Sequence, residues 1–273
     1  MDSPTRPRTA GAPPPAGEGI KAGRVCFFVV LVKCVRLKAM GDQRTLKAED
    51  GHEFAIYSAE PRTKSAAGEE TAPGLIVIQE IFGVNPHIRS VCDGFAGQGY
   101  RVVAPALFDR VQRGIELEYG EKGFKVGVGL RKLIPENYSM MDVAACLEHL
   151  RGDGLGAGSG GGNVAVVGYC WGGTLAWVAA QQLDVQAAVG YYGGGIAQHL
   201  DGDLYCPVML HFGGEDRSIT PGDILAIQQA YPQAKIHSYP GAGHGFNREA
   251  QAEHTTLALD RTLEFLRTNM VGS

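Results

Sequence analysis

Residues 163–180 read "NVAVVGYCWGGTLAWVAA", and the fold turns on this stretch. "VAVV" is a short, unbroken apolar run, the signature of a strand buried on both faces. "GGTLAWVAAQQL" that follows is rich in small helix formers and reads as a helix. Between them, G-x-C-x-G fits the nucleophile-elbow pattern G-x-S-x-G, with Cys170 in the serine position. A turn this sharp strains the backbone of the residue at its apex. Glycines two residues away on each side, Gly168 and Gly172, remove side chains that would clash there. The following helix begins with partial positive charge, which favours thiolate over thiol. The competing reading is a buried structural cysteine in a glycine-rich turn.

Outward from this point the chain alternates between two patterns. "LIVIQ" (75–79), "RVVAPALF" (101–108), "QAAVGYY" (186–192), "PVMLHFG" (207–213) and "AKIHSYP" (234–240) read as strands. "HIRSVCDGFAGQG" (87–99), "ENYSMMDVAACLEHLRG" (136–152), "PGDILAIQQAYP" (221–232) and "HTTLALDRTLEFLRTNM" (254–270) read as helices. Residues 111–131 read as one helix after a glycine-rich approach. "TLKAEDGHEFAIYSAEP" (45–61) reads as a hairpin around Asp50-Gly51. "PRTKSAAGEETAPG" and "GDGLGAGSGGGN" are polar loops. Alternation of this kind predicts an α/β fold, a mostly parallel sheet with helices on both faces. Ligands in such sheets bind beyond the carboxyl ends of the strands. Cys170, Asp216 and His244 all follow predicted strands.

Composition narrows the function. The chain has 273 residues, 44% of them hydrophobic, and a net charge of -4. This suits a soluble globular protein and leaves no basic footprint for nucleic acid. No apolar run spans a bilayer. The six cysteines form no C-x-x-C pair and the histidines no metal spacing, so no metal is expected. Scattered cysteines in a chain of this size imply reduced thiols and a cytoplasmic setting. Residues 1–39 read as a leader; 1–24, rich in Pro, Gly, Ala and Arg and without periodicity, read as disordered. "VCFFVVLV" (25–32) is either an extra strand or sequence upstream of a start at Met40. The domain proper runs from 40 to 273.

A cysteine nucleophile needs a base, and the base needs an acid to orient it. The order Cys170, Asp216, His244 is the nucleophile–acid–histidine order of α/β-hydrolases. His244 would take the thiol proton and later activate water, with Asp216 holding its tautomer. Glu215 is the alternative acid.

Five motifs in this order, "QEIFGVN", "GYCWGG", "VGYYGG", "GGEDRSITP" and "GAGHGF", resemble the dienelactone hydrolase family (carboxymethylenebutenolidases). The resemblance runs from about residue 42 to the C-terminus. It implies an α/β-hydrolase fold without a large lid and a Cys-His-Asp triad. It implies a cofactor-free opening of an activated lactone, of the dienelactone-to-maleylacetate type, in aromatic degradation. By motif, the triad is Cys170, His244 and Asp216. Glu80 matches the family glutamate that contacts the resting thiol. The backbone N–H groups of Ile81 and Trp171 would form the oxyanion hole. Arg110 and Arg248 would grip a substrate carboxylate, although Ala106 stands where the family usually has an acidic residue. The partner expected is a small lactone or ester, handled by a monomer or small homo-oligomer. Three rivals remain: a broader esterase or thioesterase, a non-catalytic binding protein, and a peroxide sensor at Cys170.

Overall fold

A computed structural model describes Met1 and residues 41–61, 72–152, 163–249 and 252–270. The leader, including "VCFFVVLV" and Met40, lies outside the described residues. So does most of the two loops predicted at 61–74 and 152–163. One compact unit spans 37–273. Its eight strands are β1 (Gly41–Lys47), β2 (Glu53–Ala59), β3 (Gly74–Ile78), β4 (Arg101–Pro105), β5 (Val164–Tyr169), β6 (Ala187–Tyr191), β7 (Val208–Gly213) and β8 (Lys235–Tyr239). Six helices connect or flank them: α1 (Pro86–Gly97), α2 (Glu121–Lys132), α3 (Glu136–Gly152), α4 (Trp171–Gln182), α5 (Pro221–Ala230) and α6 (Glu253–Met270).

They form one sheet in the order β1-β2-β4-β3-β5-β6-β7-β8. β1 and β2 are antiparallel, as the Asp50-Gly51 hairpin predicts, with Lys47 opposite Glu53. From β4 to β8 all pairings are parallel. β3, β5, β6 and β7 are buried along their whole length, which is why they read as unbroken apolar runs. Such runs need cover on both faces. α3 and α4 pack together, while α1 and α6 line a common cavity. The predicted helix over 111–131 is shorter. Only Glu121–Lys132 coils, because Gly114 and Gly120 both take positive φ and break the approach.

The order places a switch point beside β3. The chain leaves β3 for β4 on one side, and later returns to lay β5 on the other. A crevice opens at such a point beyond the carboxyl ends of the two strands. Glu80 and Ile81 follow β3, and Cys170 follows β5.

A buried polar chain ties the far side of the sheet together. His211 on β7 has Nδ1 2.8 Å from the Tyr239 hydroxyl and Nε2 3.0 Å from the Thr262 hydroxyl. Thr262 lies 2.6 Å from the Tyr191 hydroxyl, which donates to the Ala258 carbonyl at 3.1 Å. A neutral imidazole protonated on Nε2 satisfies every member. Burial, helped by His237 and Arg261, pushes His211 well below the ordinary histidine range. Burial likewise holds His87 down to about 4. In the unfolded chain both take up a proton near pH 6.5. Stability from these two groups is therefore complete above pH 6.5 and falls as acid is added. We expect thermal scans to show a Tm that drops between pH 7 and 5, about 2–4 °C for each kcal/mol lost. His211→Gln should flatten that slope; an unchanged slope would remove His211 as a cause.

Candidate active site

The elbow forms where the sequence places it. Cys170 caps α4 with φ 55° and ψ -114°. A positive φ is unfavourable for any residue bearing a Cβ. The fold holds the turn from both sides: the Cys170 N–H donates to the Tyr191 carbonyl at 2.9 Å, and its carbonyl accepts the Thr174 N–H at 3.2 Å. A Cβ on Gly168 would overlap the Gly172 carbonyl, and one on Gly172 would overlap the Ile78 carbonyl. The two glycines of the motif are thus required by backbone-to-backbone approach.

The three residues predicted to act together do meet. His244 Nε2 is 3.2 Å from Cys170 Sγ, and His244 Nδ1 is 2.7 Å from Asp216 Oδ2. Asp216 is buried, and its other oxygen accepts the Ser218 N–H at 2.8 Å. Glu215, the alternative acid, is exposed. Burial by itself would push His244 down. The hydrogen bonds to Asp216 and Cys170 outweigh it and hold the imidazole up at about 10. Raised in this way, the imidazole is the stronger base toward the thiol.

Glu80 departs from expectation in its contacts. It is 1% exposed, yet its carboxylate is turned to other partners than the thiol. The Tyr119 hydroxyl donates to Oε2 at 2.7 Å, and Arg248 Nε lies 3.8 Å from Oε1. Burial raises its carboxyl above the usual range, against the pull of Arg248, Tyr119 and His244.

The two arginines part company. Arg248 lies in the site. It donates to the Gly245 carbonyl at 3.0 Å and the His244 carbonyl at 3.2 Å, and its guanidinium sits 4.5 Å from the centre of the Tyr119 ring. Arg110 is committed elsewhere, which corrects its expected place beside Arg248. It bonds Asp142 through Nε at 3.0 Å and Nη2 at 2.7 Å, and also pairs with Asp50. Asp142 is fully buried, so freeing Arg110 for a substrate would strand a buried carboxylate. The N–H groups of Ile81 and Trp171 open the two elements that flank the thiol. Among the described residues no protein acceptor engages either of them.

Two tyrosines escape the motif-based reading. Tyr119 lies on the irregular approach to α2, where no periodicity marks it. Tyr192 follows β6 with φ 40°. Its ring centre is 5.1 Å from that of His244, and its buried hydroxyl, near enough to Glu80 to favour that carboxylate, makes no hydrogen bond of good geometry among the described residues. The doubled tyrosine in "VGYYGG" is the signal that could have marked it. Among the described residues no group of three or more His, Cys, Asp or Glu side chains could hold a metal, and no helix is long and apolar enough to cross a membrane.

Comparison with known proteins bears on the family. The model of the dienelactone hydrolase family matches residues 55–270. A carboxymethylenebutenolidase of Pseudomonas putida is 30% identical over 232 residues, 81% of this chain and 94% of that protein. Carboxymethylenebutenolidase 1 of Cupriavidus pinatubonensis is 30% identical over 237 residues, 83% of this chain and 97% of that protein. Among solved structures, that of a "Putative Dienelactone Hydrolase" from Klebsiella pneumoniae subsp. pneumoniae superposes with a TM-score of 0.68 at 27% identity, covering 82% of this chain and 97% of that one.

Proposed function

We infer the chemistry from this premise: the chain belongs to the dienelactone hydrolase family, whose members are ester- and lactone-cleaving hydrolases on the α/β-hydrolase fold. The reaction proposed is hydrolysis of an activated lactone through a thioester on Cys170. The observation that carries it is the continuous Cys170–His244–Asp216 chain at 3.2 and 2.7 Å.

His244 takes the thiol proton and the sulfur attacks the lactone carbonyl. The Ile81 and Trp171 N–H groups receive the developing oxyanion, and stabilisation of that charge commonly contributes more to such catalysis than any other effect. When the tetrahedral intermediate collapses, the ring C–O bond breaks and the oxygen leaves as an enolate, needing little acid assistance; the enolate then takes up the proton that His244 received from the thiol, which frees the imidazole. Water then adds to the thioester. His244 accepts its proton and returns one to the departing sulfur, leaving a carboxylate and the free thiol. A thiolate suits esters with good leaving groups, so alkyl esters and amides should be poor substrates. Cys170 must stay reduced to work, which accords with a cytoplasmic setting. The catalytic domain proposed starts at Met40.

The direct test is turnover of cis- and trans-dienelactone beside p-nitrophenyl acetate. Hydrolysis of neither would end the reading. One observation favours a broader esterase as the second reading. Arg110 is held by two carboxylates, which leaves Arg248 as the guanidinium near the thiol. Arg248 is therefore expected to carry any preference for a carboxylate. Arg248→Gln should lower kcat/KM for a dienelactone roughly ten- to a hundred-fold and for p-nitrophenyl acetate far less. Equal losses on both would mean that Arg248 serves only the His244 loop. Arg110→Ala should instead lower Tm, since it leaves Asp142 buried and unpaired.

A further inference from the structure

The two oxyanion donors sit on different elements, Ile81 on the loop after β3 and Trp171 at the start of α4. Such a site works only if its donors are aimed before the charge develops. A backbone N–H is aimed by its peptide plane, and that plane is held by whatever the carbonyl on the same peptide bonds. The carbonyl that shares a plane with the Ile81 N–H is that of Glu80. It accepts a hydrogen bond from Nε2 of Gln79 at 3.2 Å.

Gln79 is wholly buried. Its Oε1 accepts the Leu107 N–H at 3.3 Å. This contact also settles which way the amide points. An N–H must face the oxygen, so the amide NH2 is left for the Glu80 carbonyl. The main-chain carbonyl of the same residue accepts the Gly172 N–H at 3.1 Å, one residue beyond Trp171. Gln79 therefore touches both sides of the oxyanion site, one through its side chain and one through its backbone. Packing alone gives no reason for an amide here, because an apolar side chain would fill a buried strand end without two hydrogen-bonding demands.

We propose that Gln79 is a positioning residue for the oxyanion hole, its side chain fixing the Glu80–Ile81 peptide so that the Ile81 N–H faces the reacting carbonyl. The role rests on the Cys170 chemistry inferred above. It separates two reactions of the same thiol. Acylation by an ester builds negative charge on the carbonyl oxygen and needs the hole. Alkylation by iodoacetamide displaces iodide at a methylene carbon, builds no oxyanion, and does not need it.

Gln79→Met keeps the length of the side chain and removes both hydrogen bonds. The measurements are the rate of acylation by p-nitrophenyl acetate, its KM, and the rate of iodoacetamide labelling at Cys170, located by peptide mass mapping. We expect kcat to fall roughly ten- to thirty-fold with KM little changed, and labelling to stay within about two-fold of wild type. If Gln79→Met does not fold, Gln79→Leu serves: it is close in volume, carries no polar atom to bury and removes the same two hydrogen bonds. Acylation at the wild-type rate, or acylation and labelling falling together, would overturn the assignment. A wild-type protein that does not acylate at all would instead overturn the Cys170 reading.

Discussion

Replacing Cys170 by alanine is expected to remove measurable hydrolysis while leaving the fold in place. The turn at 170 is held by the Tyr191 and Thr174 backbone contacts and by the close approach of two glycines. None of these depends on sulfur. Alanine carries the same Cβ at φ 55°, so it adds no strain. Tm should therefore stay near wild type while turnover of every ester disappears. Cys170→Ser should also be poor, because a hydroxyl ionises far less readily than a thiol and His244 is tuned to a thiol. Cys170→Gly offers a check on the backbone. Glycine adopts positive φ freely, so it should match or exceed the alanine variant in stability. Full activity in the alanine variant would dismantle the triad.

The second large effect is expected at Asp216. Its carboxylate accepts from His244 Nδ1 at 2.7 Å and is part of what holds the imidazole up at about 10. In Asp216→Asn the amide offers either a weaker acceptor or an N–H. The latter favours the tautomer whose proton sits on Nε2, facing the thiol it should deprotonate. Loss of the correct tautomer costs about 10³- to 10⁴-fold in triads of this type. The pH profile supplies the independent mark. With its raising partner weakened, His244 should titrate at lower pH than in wild type, a shift that NMR of the imidazole would register. A loss below ten-fold would deny Asp216 this role. The neighbouring acid cannot rescue the variant in the present fold, because Glu215 is exposed and its N–H is tied to the Ala242 carbonyl.

Much of this was readable along the chain. Strand runs such as "LIVIQ" and "VAVVG" are local signals, because a strand buried on both faces must be apolar at every position. The elbow is local as a pattern, but only in part as a cause: Gly168 answers a clash with the Gly172 carbonyl, whereas Gly172 answers the distant Ile78 and Gln79 carbonyls. The order of nucleophile, acid and histidine also survives in one dimension, since each follows its own strand. The preference for Asp216 over Glu215 rests on the family motif, because adjacent residues after a strand point in different directions and only the turn's geometry decides which faces inward.

What the chain by itself determined, then, was the alternation of elements, the α/β class and the strand ends that carry chemistry. Tertiary structure decided everything that depends on two distant segments meeting. It set Tyr119 and Arg248 against Glu80, turning a carboxylate expected at the thiol toward other partners. It assigned Arg110 to Asp142 and Asp50, although its place after a strand made it look like a ligand for substrate. It also put the Gln79 amide between the Glu80 carbonyl and Leu107. The physical reason is common to these cases. A buried charge or amide must be satisfied by whatever partner the fold delivers within about 3 Å, and that partner can lie dozens of residues away, where no local pattern announces it.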